Sequence, residues 1–212
     1  MRIEEKESMV VSVRPEDSDL VSILLDDGTA LTVAVHIVSD YHLYSGKRLS
    51  AEDRARLQEH AAFSKIWKSA LRYLRYQMRT VFQTQRYLQE KGYPEEQIQQ
   101  VLKVLQDRKF LDDRRYASMY AEQHQSQQSR AYIMMKLKQR GIQSGVLDTV
   151  CSDWDEEAAA KLLVEKYLRK KSKDHSQDLK RKLIQYLQRK GFSYDIAKRV
   201  AFLDNDWDEP II

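Results

Sequence analysis

The sequence contains few of the residues that cross-link a chain or interrupt its helices. Its 212 residues include one cysteine, Cys151, together with three prolines and six glycines. A single cysteine cannot form a disulfide bond within the chain, which fits a reducing compartment, and we expect a cytoplasmic protein. The scarcity of glycine and proline, with 32% charged residues and a mean hydropathy of −0.67, indicates long helices with charged surfaces.

Long apolar segments are also absent. Five of the first seven residues are charged and no apolar segment follows them, so we predict no signal peptide. No run approaches the roughly 18 apolar residues that span a bilayer, and a membrane is not an expected partner. The apolar content of 42% nevertheless supports a packed core.

Sequence motifs of enzymes are missing as well. There is no Walker-type phosphate loop, no glycine-rich dinucleotide turn, no His-Glu-x-x-His and no Gly-x-Ser-x-Gly. The five histidines have no spacing typical of metal ligands; they are His36, His42, His60, His124 and His175. We therefore predict that the protein is not an enzyme and has no catalytic, cofactor-binding or metal-binding residues.

Two adjacent carboxylates, Asp112 and Asp113, are the strongest remaining candidate for an acid/base or metal site. Neighbouring residues of a helix point about 100° apart, which suits a shared carboxylate site poorly. We instead expect Asp112 to cap a helix and Asp113 to interact with the positive N-terminal end of that helix.

The N-terminal residues have the alternating pattern of β-strands. Apolar and polar residues alternate in three runs, which contain Met9, Val11 and Val13, then Val21, Ile23 and Leu25, then Leu31, Val33 and Val35. Asp26–Thr29, with Gly28 free to adopt a positive φ, predicts a β-hairpin. Ser50 is a predicted N-cap of the helix that follows. Residues 1–64 are therefore predicted to form a small N-terminal cap of strands and a helix.

Beyond this cap the apolar period changes to that of helices. One helical face would contain Trp67, Ala70, Leu71, Leu74 and Met78. Thr80 and Gln83 have the spacing of a capping box, which predicts the start of a second helix. Gly92 should end this helix, and Pro94 should lie in the first turn of a third.

The same pattern then recurs along the chain. Leu88–Tyr93, Leu137–Ile142 and Leu187–Phe192 share a leucine four residues before a glycine, and these glycines are 49 and 50 residues apart. Ten residues after them come Leu102, Cys151 and Ala201, so we interpret Cys151 as a small buried core residue. The sequence predicts a mainly α protein with three tandem three-helix repeats, at 65–113, 114–153 and 154–212, in an elongated, curved body.

The basic residues are unevenly distributed. Residues 1–67 contain 8 Lys and Arg against 12 Asp and Glu, whereas residues 68–212 contain 28 against 20, which favours a polyanion or an acidic protein as partner. The candidate partner-binding residues are Arg72, Arg75 and Arg79 on one helix, then Lys136, Lys138 and Arg140, then Lys170, Lys171 and Lys173, then Lys180, Arg181 and Lys182. Any one cluster could equally be a solvated surface. The tyrosines lie beside apolar helical positions, so neither base stacking nor sequence-specific DNA recognition is expected.

Several of these motifs together resemble the RecX family. The resemblance rests on Ala70–Leu74, the Thr80 capping box, Leu88–Tyr93 and Phe110–Ala117, and it covers residues 65–204 approximately. The chain has Thr80, Gln83 and Thr84 where the family often has Ser-x-x-Glu-Leu, so a core contact at Thr84 should be weaker. The first 60 residues resemble the N-terminal extension of longer family members.

The resemblance implies a regulator of the RecA recombinase. A RecX-like protein would bind the RecA filament on single-stranded DNA along its groove and inhibit ATP hydrolysis, strand exchange and filament extension. It would thereby act on homologous recombination, DNA repair and the SOS response. We expect a monomer with weak direct DNA binding. The alternative is a helical repeat protein that binds nucleic acid directly and without sequence specificity.

Overall fold

The computed structural model describes residues 7–152, 154–170 and 178–203, and it confirms a mainly α fold with a small N-terminal β-sheet. Two compact units are present. Unit 1 contains residues 7–78 and 84–110, and the described part of unit 2 contains residues 79–83, 111–152, 154–170 and 178–203.

The strands of unit 1 form one antiparallel sheet. They are β1 (Ser8–Pro15), β2 (Leu20–Leu25), β3 (Ala30–Ala34) and β4 (Arg48–Leu49), in the order β3-β2-β1-β4. The hairpin predicted at Asp26–Thr29 is confirmed, with Gly28 at φ +83° and the Asp27 carboxylate accepting the Thr29 N–H at 2.9 Å. A chain reversal at this point brings β2 and β3 into register from Leu20↔Ala34 to Leu24↔Ala30.

Met9 and Val11, which the alternating pattern of β1 grouped with Val13, do not face the core. Val10 is fully buried, whereas Met9 and Val11 are 41% and 43% exposed. The register between β1 and β2 shifts between Val10 and Ser12, and such a bulge changes the face on which the following side chains lie. Val35, predicted in the third strand, begins helix α1 (Val35–Asp40) instead and is exposed.

Helix α2 (Ala51–Leu74) is one continuous helix of 24 residues, and it passes through the boundary predicted after residue 64. Its predicted cap is confirmed, because the Ser50 hydroxyl accepts the Asp53 N–H at 3.0 Å. Leu57 of this helix packs into the core of the sheet, where it is fully buried with Val10 and Ile23. The helix ends at Leu74, so the prediction that Met78 lies on its apolar face is wrong, and Met78 is exposed.

Helices α3 (Val81–Glu90) and α4 (Glu95–Asp107) complete the first repeat. The capping box is confirmed: the Thr80 hydroxyl accepts the Gln83 N–H, the Gln83 side chain accepts the Thr80 N–H, and both distances are 3.1 Å. Thr84 is fully buried despite its departure from the family pattern. Pro94 is the N-cap of α4 and not a residue of its first turn, because its ψ of 138° is extended.

Unit 2 contains the other two repeats. The second comprises α5 (Asp113–His124), α6 (Arg130–Gln139) and α7 (Ser144–Val150), and the third comprises α8 (Glu156–Lys170), α9 (Asp178–Arg189) and α10 (Tyr194–Leu203). Each repeat has its own core, in which Leu137 and Leu187 are fully buried. Cys151 is 1% exposed, as predicted, and burial raises the pKa of its thiol.

Candidate functional site

The three arginines predicted to share one helix lie in different backbone environments. Arg72 is exposed in the last turn of α2, Arg75 is the C-cap of that helix, and Arg79 lies in the connection before α3. Because α2 ends at Leu74, the prediction of a continuous basic ridge on one helix is wrong. Arg72 and Arg75 belong to unit 1, whereas Arg79 belongs to unit 2.

The basic residues of the second repeat differ in their contacts. Lys138 is exposed on α6. The Lys136 ammonium lies 5.5 Å from the centre of the Tyr132 ring and 3.5 Å from the Gln139 side-chain oxygen. Lys136 and Lys138 are two residues apart, which places them on opposite sides of a helix.

Arg140 has a structural role. It is the C-cap of α6, its guanidinium donates to the Tyr116 hydroxyl at 2.6 Å, and it lies 4.2 Å from the centre of the Tyr120 ring. Lys91 and Lys190 also directly precede helix-ending glycines, and their ammonium groups lie 5.6 and 5.9 Å from tyrosine rings. A cation at the C-terminal end of each middle helix is favoured by the helix dipole, and this repeated position was not recognised in the sequence.

In the third repeat, the structure describes only some of the candidate residues. Lys170 is the last residue of α8, and Lys171 and Lys173 lie outside the described residues. Arg181 is exposed on α9, while Lys180 and Lys182 are half-buried on the same helix. The Lys180 ammonium lies 5.1 Å from the centre of the Phe202 ring.

The two adjacent carboxylates cap two different helices. The Asp112 carboxylate accepts the Arg115 N–H at 3.0 Å and caps α5, as predicted. Asp113 lies in the first turn of α5, but its carboxylate also accepts the Val81 N–H at 2.9 Å, at the start of α3. Burial raises the pKa of Asp113 above its ordinary value of 3.8. Arg114 and Arg115, which follow these caps and are exposed, were not predicted as candidates.

The start of α3 is connected to the second repeat by a set of contacts that we call the first joint. Its residues are Thr80, Val81, Phe82, Asp113, Arg140 and Gly141. The Thr80 hydroxyl donates to the Arg140 carbonyl at 2.7 Å. Gly141, at φ +83°, lies so close to Phe82 that a Cβ atom on it would overlap the Phe82 side chain. The glycine is therefore required both by its backbone conformation and by this close approach.

The start of α6 is connected to the third repeat in a similar way, and we call these contacts the second joint. Its residues are Ser129, Arg130, Tyr132, Glu156, Lys190 and Gly191. The Ser129 N–H donates to the Lys190 carbonyl, and the Arg130 N–H donates to the Glu156 carboxylate, both at 3.0 Å. A Cβ atom on Gly191 would lie 2.6 Å from the Ser129 Oγ. Ser129 also caps α6 by accepting the Tyr132 N–H.

Two further observations concern cofactors and membranes. Among the residues that the structure describes, no group of three or more His, Cys, Asp or Glu side chains is placed to hold a metal ion. In the same part of the chain, every helix is too short or too polar to cross a lipid bilayer.

Comparison with protein families gives three matches to this chain. The first three-helix domain of RecX matches residues 67–105, the second matches residues 112–150 and the third matches residues 155–201. Each match falls within one of the three-helix repeats of the structure.

Individual relatives support the same assignment. The regulatory protein RecX of Bacillus licheniformis is 30% identical over 93% of this chain and 77% of its own length, and that of Bacillus subtilis is 28% identical over 88% and 72%. A crystal structure of a regulatory protein RecX superposes with a TM-score of 0.71 at 25% identity, covering 91% of this chain and 98% of the other. These relatives are named as regulatory proteins, which is consistent with a protein that is not an enzyme. The chain therefore belongs to the RecX family.

Proposed function

We propose that this protein binds the RecA filament on single-stranded DNA along its groove and inhibits ATP hydrolysis, strand exchange and filament extension. The observation that carries this proposal is the presence of all three RecX three-helix domains in one chain whose relatives are regulatory proteins. The name RecX points to a RecA-related partner, and the cellular roles would then be in recombination, repair and the SOS response.

The distribution of exposed cations supports a polymeric, negatively charged partner. Arg72 and Arg75 are exposed in the first repeat, Lys138 in the second and Arg181 in the third. Each contact would be weak alone, but several contacts carried on one chain add through their effective concentration. A filament offers the same surface repeatedly, so a protein built from repeats can bind it more tightly than it binds a single protomer.

Inhibition requires a preference for one state of the filament. A bound protein shifts a conformational equilibrium only by its difference in affinity for the two states. We infer that the protein binds the filament in the state that precedes extension or strand exchange and stabilises that state. The two hydrogen-bonded joints would favour this role, because they fix the starts of α3 and α6 against the repeat that follows each of them.

The direct test is the DNA-dependent ATPase activity of RecA with this protein added well below the RecA concentration. We expect suppression at these ratios. The double variant Lys138→Glu/Arg181→Glu should need at least about 10-fold more protein for the same suppression, because each reversal replaces a charge-assisted contact by repulsion. Unaltered RecA activity across the whole titration with the unmodified protein would disprove the proposal.

A matched control separates specific contacts from net charge. Lys166→Glu/Lys198→Glu makes the same change in charge on the same unit, at two exposed lysines outside the predicted set. Suppression by this variant should stay within about 2-fold of the unmodified protein, since long-range charge effects are largely screened at physiological salt. Equal losses in both variants would mean that the predicted residues have no special role.

Direct nucleic-acid binding is the alternative function, and the 28 to 20 excess of basic over acidic residues in residues 68–212 favours it. Titration of the protein with single-stranded DNA, in the absence of RecA and over a range of salt concentrations, distinguishes this alternative from regulation of RecA. Tight, steeply salt-dependent binding without any effect on RecA would support the alternative.

A further inference from the structure

Unit 1 contains a cavity that shares only Arg72 with the residues proposed to bind the filament. It lies between α2 and the β2–β3 hairpin and has a volume of about 560 Å³. This volume is within the range of roughly 300–1,000 Å³ that is usual for small-molecule sites. All the residues that line it belong to unit 1.

One side of the cavity is basic. Lys65, Lys68 and Arg72 line it, and their spacing along α2 places all three within about 60° of each other on the helix. Lys68 is paired with the Glu16 and Asp17 carboxylates at 2.9 and 3.3 Å. Lys65 and Arg72 have no acidic partner within the described residues and are exposed to solvent. Two of the three cations are therefore available to an anion.

A buried hydroxyl group lies beside these cations. Ser64 lines the cavity on the same helix as the three cations, and the residue is 5% exposed. The Ser64 hydroxyl is thus a further hydrogen-bonding group for a bound molecule.

The remaining wall combines apolar and polar surface. Leu20, Leu31 and Ala61 provide an apolar part, while Gln58 and Tyr93 contribute an amide and a phenol. A heterocyclic base with a sugar would contact the apolar part and still offer hydrogen-bonding atoms to the polar groups.

We propose that this cavity binds a nucleotide, with its phosphate groups at Lys65 and Arg72 and its base against the apolar wall. Arginine forms paired hydrogen bonds with phosphate, and a lysine seven residues away on the same face adds a second positive charge. The nucleotide can be free or can be one unit of a single-stranded nucleic acid, since both present the same phosphate and base chemistry.

The proposal is tested by calorimetric titration of the protein alone, without RecA, so that its outcome is independent of the proposed function. The probes are dATP, inorganic triphosphate and a short deoxythymidine oligonucleotide. We expect saturable binding of dATP or of the oligonucleotide, at least about 10-fold tighter for dATP than for triphosphate if the free nucleotide is the ligand, because apolar contact with the base adds affinity. Binding of the oligonucleotide alone would identify a unit of a strand as the ligand.

Variants locate the binding to this cavity. Lys65→Gln/Arg72→Gln should weaken binding by at least about 30-fold, and Ser64→Ala by about 5-fold, whereas Lys103→Gln, an exposed lysine of α4, should have no effect. Circular dichroism checks that each variant is folded. If the double variant is unfolded, Ser64→Ala alone tests whether the ligand binds in this cavity. Failure of both dATP and the oligonucleotide to bind at millimolar concentration would overturn the proposal. So would binding that the double variant leaves unchanged.

Discussion

In the first joint the Arg140 carbonyl accepts a hydrogen bond from the Thr80 side chain, whereas in the second the Lys190 carbonyl accepts one from the Ser129 backbone. The third residue of each helix explains the difference. Gln83 occupies the Thr80 N–H through the capping box, so the hydroxyl makes the connection. Tyr132 stands at the corresponding position of α6 and has no such acceptor, which leaves the Ser129 N–H available.

The comparison shows that a connection between repeats can be kept while the atoms that make it change. Both joints retain a hydroxyl cap, a carboxylate on the first N–H of the helix and a glycine in close contact. The hydroxyl and the carboxylate accept N–H groups that a helix leaves unpaired at its start, and the glycine allows the close approach of the two repeats. The joints should therefore respond alike to loss of the glycine and differently to loss of the hydroxyl.

The largest effect is expected from the glycines. Gly141→Ala forces a Cβ atom into the Phe82 side chain and also requires a positive φ, so we expect a loss of about 3 kcal/mol or more in the free energy of unfolding. Gly191→Ala should destabilise similarly, because its Cβ atom would meet the Ser129 Oγ and the Tyr132 Cβ. Urea unfolding followed by circular dichroism measures both.

Gly92→Ala is the matched control for these two variants. Gly92 has the same place at a helix end and a φ of +78°, but no atom lies within 4 Å of an added Cβ. Only the backbone conformation is penalised there, at about 1 kcal/mol. Equal losses for all three glycines would show that the close contacts at the joints contribute nothing.

Removal of the cap hydroxyl should have a smaller effect that differs between the joints. Thr80→Ala loses the bond to the Gln83 N–H and leaves the Arg140 carbonyl unpaired, for an expected cost of about 2–3 kcal/mol. Ser129→Ala loses the bond to the Tyr132 N–H but keeps the backbone bond to Lys190, so its cost should be about 1 kcal/mol. Unfolding free energies of the two variants give the comparison.

Thr80→Ser provides the control for this second prediction. It retains both hydrogen bonds of the hydroxyl and loses only a methyl group, so it should recover most of the stability that Thr80→Ala loses. A Thr80→Ala variant no less stable than Ser129→Ala would contradict the proposed difference between the joints.

Helix caps could be predicted from the sequence, whereas contacts between residues far apart along the chain could not. The caps at Ser50, Thr80 and Asp112 follow from a residue and its neighbours three positions away, and the structure confirms each. The bond from Val81 to Asp113 joins residues 32 positions apart, so no local pattern indicates it.

The surroundings of the candidate basic residues could not be predicted from local sequence either. Helix α2 ends at Leu74, although the next four residues include neither glycine nor proline, so helical periodicity wrongly extended the helix to Arg79. The structural role of Arg140 depends on Tyr116 and Tyr120 in another helix. Lys91 and Lys190 occupy the same position in the sequence of the other two repeats. This recurrence of a basic residue before each helix-ending glycine would have indicated a structural role in all three repeats.

The smallest effect is expected from Asp113→Asn, at the carboxylate of the first joint, and it depends on pH. Since burial raises the pKa of Asp113 in the folded protein above 3.8, the folded state binds this proton more tightly than the unfolded state. The stability from this group is complete below pH 3.8 and is lost as the pH rises through the raised pKa.

Asp113→Asn keeps an oxygen that can accept the Val81 N–H, but its side chain cannot ionise. This variant should therefore equal or exceed the original protein in stability at pH 7 and lose that advantage near pH 3.8. Asp113→Ala lacks the acceptor and should be less stable by about 1–2 kcal/mol at both pH values. Unfolding measured at pH 3.8 and pH 7 distinguishes the two variants, and an Asp113→Asn variant as unstable at pH 7 as Asp113→Ala would show that the charge itself is needed to hold the start of α3.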